Sequence, residues 1–314
     1  MLPLALALVA GSPQQPASPR IRVVPQHSSG TLQDLEESRD GSRLLTHDRE
    51  FAPRLWDARR QIVLANFEGH PDKVANVAFT DDGKRAISRS PKMVILWDAV
   101  RAKRISSLLA PAGDAFVASA ASKDGSTIAL GTQLGSVLLA KGNLSAAKKI
   151  GGHSKAVGAF ALSRDGARLF SGSEDGTGRV WDAKTGAPLW SVKGNAKGIA
   201  WADFSKTGLL ATTEYDRKAK GHQKGAVRVW DAKGNPLATY PHWFGSRGVD
   251  LTWAGGTFVG DRGDEIVTFD ESGSMPIRRI GTEAPVRKLE AHKGAIRELR
   301  YSADRRYVST VAED

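Results

Sequence analysis

Apolar residues in this chain come in short runs, some alternating with polar ones and some unbroken, and turn-forming residues close each run. Between residues 157 and 192 the runs are Val157 to Leu162, Arg168 to Ser171, Gly178 to Trp181 and Pro188 to Val192. They are separated by Asp165-Gly166, Glu174-Asp175-Gly176 and Thr185-Gly186. Asp-Gly and Thr-Gly supply the positive φ that tight hairpins need, so the stretch predicts four short antiparallel strands.

The pattern recurs. Trp-Asp pairs stand at 56–57, 97–98, 181–182 and 230–231, with steps of 41, 84 (twice 42) and 49 residues. Asp-Gly turns at 40, 82, 124 and 165 give steps of 42, 42 and 41. A histidine precedes several of the units, at His27, His70, His153 and His292. A four-stranded sheet every 40–45 residues or so, with Gly-His near its start and Trp-Asp near its end, is the pattern of a propeller blade.

On these residues the chain resembles the WD-repeat β-propellers, from about residue 20 to its end, and the wording "LWDA" and "VWDAKTG" looks like bacterial members. The resemblance implies an all-β, seven-bladed β-propeller of four-stranded antiparallel blades. The expected blades span 27–69, 70–111, 112–152, 153–194, 195–244, 245–291 and 292–314, the last joined by a strand at 21–24, with residues 1–19 outside the propeller. It also implies a structural hydrogen-bond network of His153, Ser171, Asp175 and Trp181, beside the Trp-Asp pairs Trp56-Asp57, Trp97-Asp98, Trp181-Asp182 and Trp230-Asp231. A buried indole N–H and a buried imidazole both need partners.

The units depart from the pattern in specific places. The second keeps His70, Ser88 and Trp97 but has Lys92 near the place of the turn aspartate, and the first carries His27, Thr46, Glu50 and Trp56. The third has no histidine and Ala140 in place of the tryptophan. The fifth inserts "EYDRKAKGHQKG", and the sixth replaces Trp-Asp by Phe269-Asp270 and adds "ESGSMPIRRIGTEAP". The last aligns with the fourth at a constant offset of 139 (His153 to His292, Asp165 to Asp304, Ser171 to Thr310, Asp175 to Asp314) and stops where its third strand is due. An incomplete seventh blade leaves an open sheet edge, read either as a truncated chain or as a seam through which a partner's strand associates.

The absence of cysteine excludes disulfides, thiolate metal sites and cysteine nucleophiles. A net charge of +11 could attract nucleic acid or another polyanion, but the basic residues are dispersed as pairs such as Lys148-Lys149, Arg278-Arg279 and Arg305-Arg306, which reads as solvated surface. The apolar run Leu2 to Ala10 is too short to span a bilayer. It matches the core of a secretory signal, with Val9-Ala10-Gly11 as a cleavage context and no preceding Lys or Arg, so export is favoured over a cytoplasmic location and no segment is expected to cross the membrane.

His153, Ser171 or Ser173, and Asp175 contain the residue types of a hydrolase triad, yet no G-x-S-x-G occurs and the serine falls inside a strand. No H-x-H, H-E-x-x-H or P-loop spacing appears. Hence no catalytic residue, metal or cofactor is expected. The expected role is a non-enzymatic scaffold for a protein or peptide partner, with contacts where the chain leaves the repeat: Tyr215, Arg217, Lys218, Lys220 and Lys224 on the insertion, and Trp243 and Phe244 as an aromatic pair in a loop. The alternatives are an accessory or sensory propeller of a longer, enzymatic polypeptide ending here at Asp314, and a polyanion-binding propeller using the insertion with Arg278 and Arg279.

Overall fold

The computed structural model describes residues 7–10, 32–38, 40–48, 52–80, 82–193, 198–215, 223–244, 257–259, 262–268, 274–290, 296–301 and 307–312. All regular structure among them is β. After β1 (Ala7–Ala10), strands β2 (Leu32–Glu37), β3 (Arg43–Asp48), β4 (Arg54–Asp57) and β5 (Ile62–Asn66) form the first four-stranded sheet. The second holds β6 (Asn76–Phe79), β7 (Arg85–Arg89), β8 (Met93–Asp98) and β9 (Lys103–Leu109), and the third β10 (Phe116–Ala121), β11 (Thr127–Thr132), β12 (Ser136–Lys141) and β13 (Ala147–Gly152). The fourth holds β14 (Val157–Leu162), β15 (Arg168–Ser173), β16 (Thr177–Asp182) and β17 (Pro188–Lys193). The fifth holds β18 (Gly198–Phe204), β19 (Leu210–Tyr215), β20 (Gln223–Trp230) and β21 (Pro236–Phe244), and the sixth β22 (Thr257–Val259), β23 (Glu265–Val267), β24 (Ser274–Arg279) and β25 (Arg287–Glu290). Within each of these sheets the strands lie in chain order.

A last sheet has three strands among the described residues, in the order β1, β27 (Tyr307–Ala312), β26 (Ile296–Tyr301). Here the fold differs from the expectation drawn from the amino terminus. The apolar run expected as a signal core supplies β1, antiparallel to β27 with Ala7 opposite Thr310 and Ala10 opposite Tyr307. It takes the third-strand position expected to be empty, because an apolar run in extended form satisfies the N–H and C=O groups of the β27 edge. Ile21 to Val24, the strand expected there, lies outside the described residues.

The described chain divides into two compact units, one of Val23–Ser171 with Asp182–Ala187, the other of Met1–Arg22, Gly172–Trp181 and Pro188–Asp314. In the first unit burial follows strand position. All six residues of β11 are buried, whereas Ile62, Val63 and Leu64 of β5 are exposed. Second strands therefore carry the core and fourth strands face water. Phe67, following β5, stacks on Trp97 of β8 with ring centroids 4.3 Å apart and planes 2° from parallel, joining the first two sheets in one cluster with Leu45, Leu55 and Ile95. In the second unit Val227, Val229 and Tyr240 pack with Phe258 and Ile266.

The tryptophan strands share a register slip. Pairing between third and fourth strands shifts at Leu55/Trp56, Leu96/Trp97, Val180/Trp181 and Val229/Trp230. A bulge at each site increases the local twist just where the indole turns inward.

Candidate functional site

The second strand of a tryptophan-bearing sheet offers a hydroxyl to the third. The indole N–H of Trp56 donates to Thr46 at 2.8 Å, that of Trp97 to Ser88 at 2.8 Å and that of Trp230 to Thr212 at 2.9 Å. In the fourth sheet Ser171 is wholly buried and its Oγ lies 2.9 Å from His153 Nε2. Trp181 is 2 % exposed, and the Asp175 carboxylate accepts from the Thr177 N–H at 2.8 Å and the Thr177 hydroxyl at 2.6 Å. A serine inside a strand with no exposed face cannot reach a substrate carbonyl.

In the second sheet one hydroxyl serves two rings. Ser88 Oγ accepts from the Trp97 indole, a donor only, and lies 2.6 Å from His70 Nε2. Burial pushes His70 down to about 4, with the Asp72 carboxylate opposing the shift and Arg104 adding to it, so the ring is neutral at pH 7.

The aspartates of both repeat motifs close turns. Asp57, Asp98 and Asp182 each accept two backbone N–H groups from the turn that follows, at 2.7–3.0 Å. Asp231 does so through Lys233 and Asn235, both at 2.8 Å. Hydrogen bonds to the charged form hold all four carboxyls below the usual range, led by the backbone N–H of Arg60, Arg101 and Thr185 and by the Asn235 side chain respectively.

In the Asp-Gly turns a hydroxyl two residues earlier completes the motif. Ser38, Thr80, Ser122 and Ser163 donate to Asp40, Asp82, Asp124 and Asp165 at 2.5–2.8 Å. The backbone N–H of Ser42 and of Ser126 leads in lowering Asp40 and Asp124 to about 2. The constant Ser/Thr-x-Asp-Gly spacing is the sequence signal for these hydroxyls.

Of the expected partner-contact residues, Arg217, Lys218 and Lys220 lie outside the described residues. Tyr215 ends β19 opposite Gly198, and Lys224 sits on β20 opposite Trp243. Trp243 and Phe244 were expected in a loop; they belong to β21, Phe244 opposite Gln223. The last inserted residues extend β20, so strand pairing carries β21 through "YPHWF". Arg278 of the polyanion alternative is committed within the fold, donating to Thr268 at 2.8 Å and to the Glu283 carbonyl at 2.9 Å and lying over the Tyr240 ring. Arg279 pairs with Asp264 at 3.9 Å.

Among the described residues no three His, Asp or Glu side chains gather as a metal site, and no helix is long and apolar enough to cross a membrane. An open recess of about 600 Å³, which no sequence motif marks, lies where the chain enters the second sheet, lined by residues 52–53 and 67–74.

The family model "WD domain, G-beta repeat" matches residues 61–98 and 145–182. The chain is 28% identical over 134 residues to the WD repeat-containing protein 55 homolog of Dictyostelium discoideum, covering 42% of this chain and 32% of that protein. It is 25% identical over 214 residues to Autophagy-related protein 16 of Arabidopsis thaliana, covering 66% of this chain and 41% of that one. The chain thus spans less than half the length of these relatives, and since both are eukaryotic they give the expectation of a bacterial member no support. The β-propeller domain of Myceliophteria thermophila Cps50 (Swd1) superposes with a TM-score of 0.65 at 16% identity, over 93% of this chain and 99% of that domain. Matching repeats, indole-to-hydroxyl bonds and sheet architecture agree: the chain carries WD repeats and resembles the WD-repeat β-propellers in fold.

Proposed function

We propose that this propeller is a non-enzymatic scaffold that binds a protein or peptide partner. The observation that carries the reading is that the fold itself uses the side chains that resemble a catalytic set. Ser171 is buried in β15, His153 reaches it with Nε2, and Asp175 closes its own turn. In this reading His153, Ser171, Asp175 and Trp181 hold a blade together, and binding falls to surfaces that vary between blades. The WD-repeat relatives favour an interaction platform in general terms.

The fifth unit is the proposed contact region, through Tyr215, Arg217, Lys218, Lys220 and Lys224 of its insertion and through Trp243 and Phe244. Aromatic and arginine side chains dominate interface energies, and no other unit carries an insertion with both. The test is quantitative affinity capture with the full chain against a Trp243→Ser/Phe244→Ser variant and an Arg217→Glu/Lys218→Glu/Lys220→Glu variant, each checked for unchanged far-UV circular dichroism. The expected result is loss of the same bound proteins from both variants; identical capture by all three chains refutes the reading. A second reading, a propeller inside a longer polypeptide, is favoured by the 32% and 41% of the relatives that the chain covers. The intact mass in the native source tests it, a value well above 33.6 kDa being the expected result.

A further inference from the structure

The outer edge of the first sheet lacks a guard that the other four-stranded sheets carry. β5 ends the order β2, β3, β4, β5, and beyond β4 its backbone groups have no hydrogen-bond partner among the described residues. Such an edge is a template for another strand, and soluble proteins blunt it with lysine, other charges or proline. Each remaining fourth strand holds such a residue: Lys103 in β9, Lys148 in β13, Lys193 in β17, Pro241 in β21 and Lys288 in β25. β5 reads Ile62-Val63-Leu64-Ala65-Asn66, with neither charge nor proline.

Ile62, Val63 and Leu64 are 48 %, 42 % and 42 % exposed, the one run of consecutive large apolar side chains at the surface among the described residues. The bulge at Trp56 leaves Leu64 without a pairing residue on β4, but the same shift occurs at Trp97, Trp181 and Trp230, so it does not set this edge apart. Nor does it seal the edge. Phe67 donates its N–H inward to the Pro53 carbonyl at 2.7 Å, so in antiparallel alternation its neighbour Asn66 turns N–H and C=O outward. Charge is placed at the two ends. Arg59 and Arg60 stand exposed ahead of the strand, Glu68 stands exposed after it, and no charged residue lies between them. Asp57, the acid that precedes the arginines, is already bonded to their backbone N–H groups at 2.9 and 2.8 Å.

We propose that the β5 edge binds a second copy of this chain, β5 against β5 in antiparallel pairing about a two-fold axis near Leu64. The segment is its own complement. Arg60 and Glu68 stand four residues to either side of Leu64, so the pairing sets the arginine end of each strand beside the glutamate end of the other and brings the apolar centres together. Parallel pairing would set like charges side by side. One five-residue edge covers well under the ~800 Å² per partner of a standard interface, and each copy carries a net charge of +11. The dimer is therefore weak, with an expected Kd of ~10–100 µM at ~0.15 M salt, where repulsion beyond ~8 Å is screened and contacts at the strand ends act within that distance. The surface lies outside the fifth unit, so the inference does not rest on the contact region proposed there.

Sedimentation equilibrium of the full chain from ~1 to ~300 µM is expected to show a monomer–dimer equilibrium. Leu64→Lys gives β5 the guard that other fourth strands have and is expected to raise the Kd at least ~10-fold. Charge exchange tests the pairing itself. Arg59→Glu/Arg60→Glu makes both ends of the strand acidic, and Glu68→Lys makes both ends basic, so each variant is expected to stay monomeric alone and to form a heterodimer when the two are mixed. All four residues are exposed, and unchanged far-UV circular dichroism checks that each chain keeps its fold. A wild-type chain that stays monomeric up to ~300 µM overturns the inference and leaves the edge to water or to a strand of another protein. Dimerisation undiminished in Leu64→Lys places the interface elsewhere and overturns it too. So does a mixture of the charge variants that dimerises no better than either alone, a result that stands even where the lysine variant fails to fold.

Discussion

Ser88→Ala removes a single oxygen and strands two ring nitrogens. Ser88 is 1 % exposed and receives the Trp97 N–H at 2.8 Å, and the same oxygen lies 2.6 Å from His70 Nε2. Each lost hydrogen bond is worth ~1 kcal/mol net, and the indole N–H left buried without an acceptor adds a further ~1–3 kcal/mol, so the variant is expected to lose ~3–5 kcal/mol. Ser88→Thr is the control. Thr46 and Thr212 already receive Trp56 and Trp230 in other sheets, so threonine is expected to cost under ~1 kcal/mol. Urea unfolding followed by far-UV circular dichroism reads both variants as shifts of midpoint at unchanged slope. An alanine variant within ~0.5 kcal/mol of wild type, or a threonine variant as damaged as alanine, would show that the hydroxyl does not organise the sheet.

His70 is neutral in the fold because burial lowers it from 6.5 to about 4, so the unfolded chain binds the extra proton between those values. Its contribution to stability is complete above pH 6.5 and falls away as the pH drops toward 4, by no more than ~2 kcal/mol for a partly exposed ring. An NMR titration midpoint for His70 near 6.5 instead of 4 would refute the burial argument. Arg85 donates to the carbonyls of Gly125 and Gly142 at 3.1 and 2.9 Å, tying the second sheet to turns of the third, so Arg85→Met is expected to cost ~2–3 kcal/mol in urea unfolding. A change below ~0.5 kcal/mol would show the bridge to be idle.

The repeat was legible in the sequence because the fold needs the same few residues in every unit. Asp-Gly marks a turn with positive φ, +65° at Gly41 and +68° at Gly166, and tryptophan marks the strand whose indole needs a buried hydroxyl. These are local demands, so they leave a local trace. The pairing of Ala7–Ala10 left none, since a short apolar run fits a signal core and a β-strand equally, and its partner strand, Tyr307–Ala312, is almost three hundred residues away. Trp243 and Phe244 failed for a related reason. Pro241 and Gly245 looked like loop punctuation, yet Pro241 sits in a fourth strand, where one side of the backbone needs no ladder partner.

The recess was hidden for a different reason, which the pairing of Lys92 with Asp72 makes plain. Comparing the second unit with the fourth shows that an aspartate is missing, and the natural inference is a weakened turn. The turn is kept, because Ser90 Oγ takes the Met93 N–H at 3.2 Å and Asp72 takes the Lys92 N–H. A carboxylate has two oxygens, and this turn takes only one of them. Replacing a residue at a repeated turn by one from a neighbouring loop therefore preserves the blade, and it leaves His70 Nδ1 and Asp72 Oδ1 buried with no hydrogen-bond partner among the described residues.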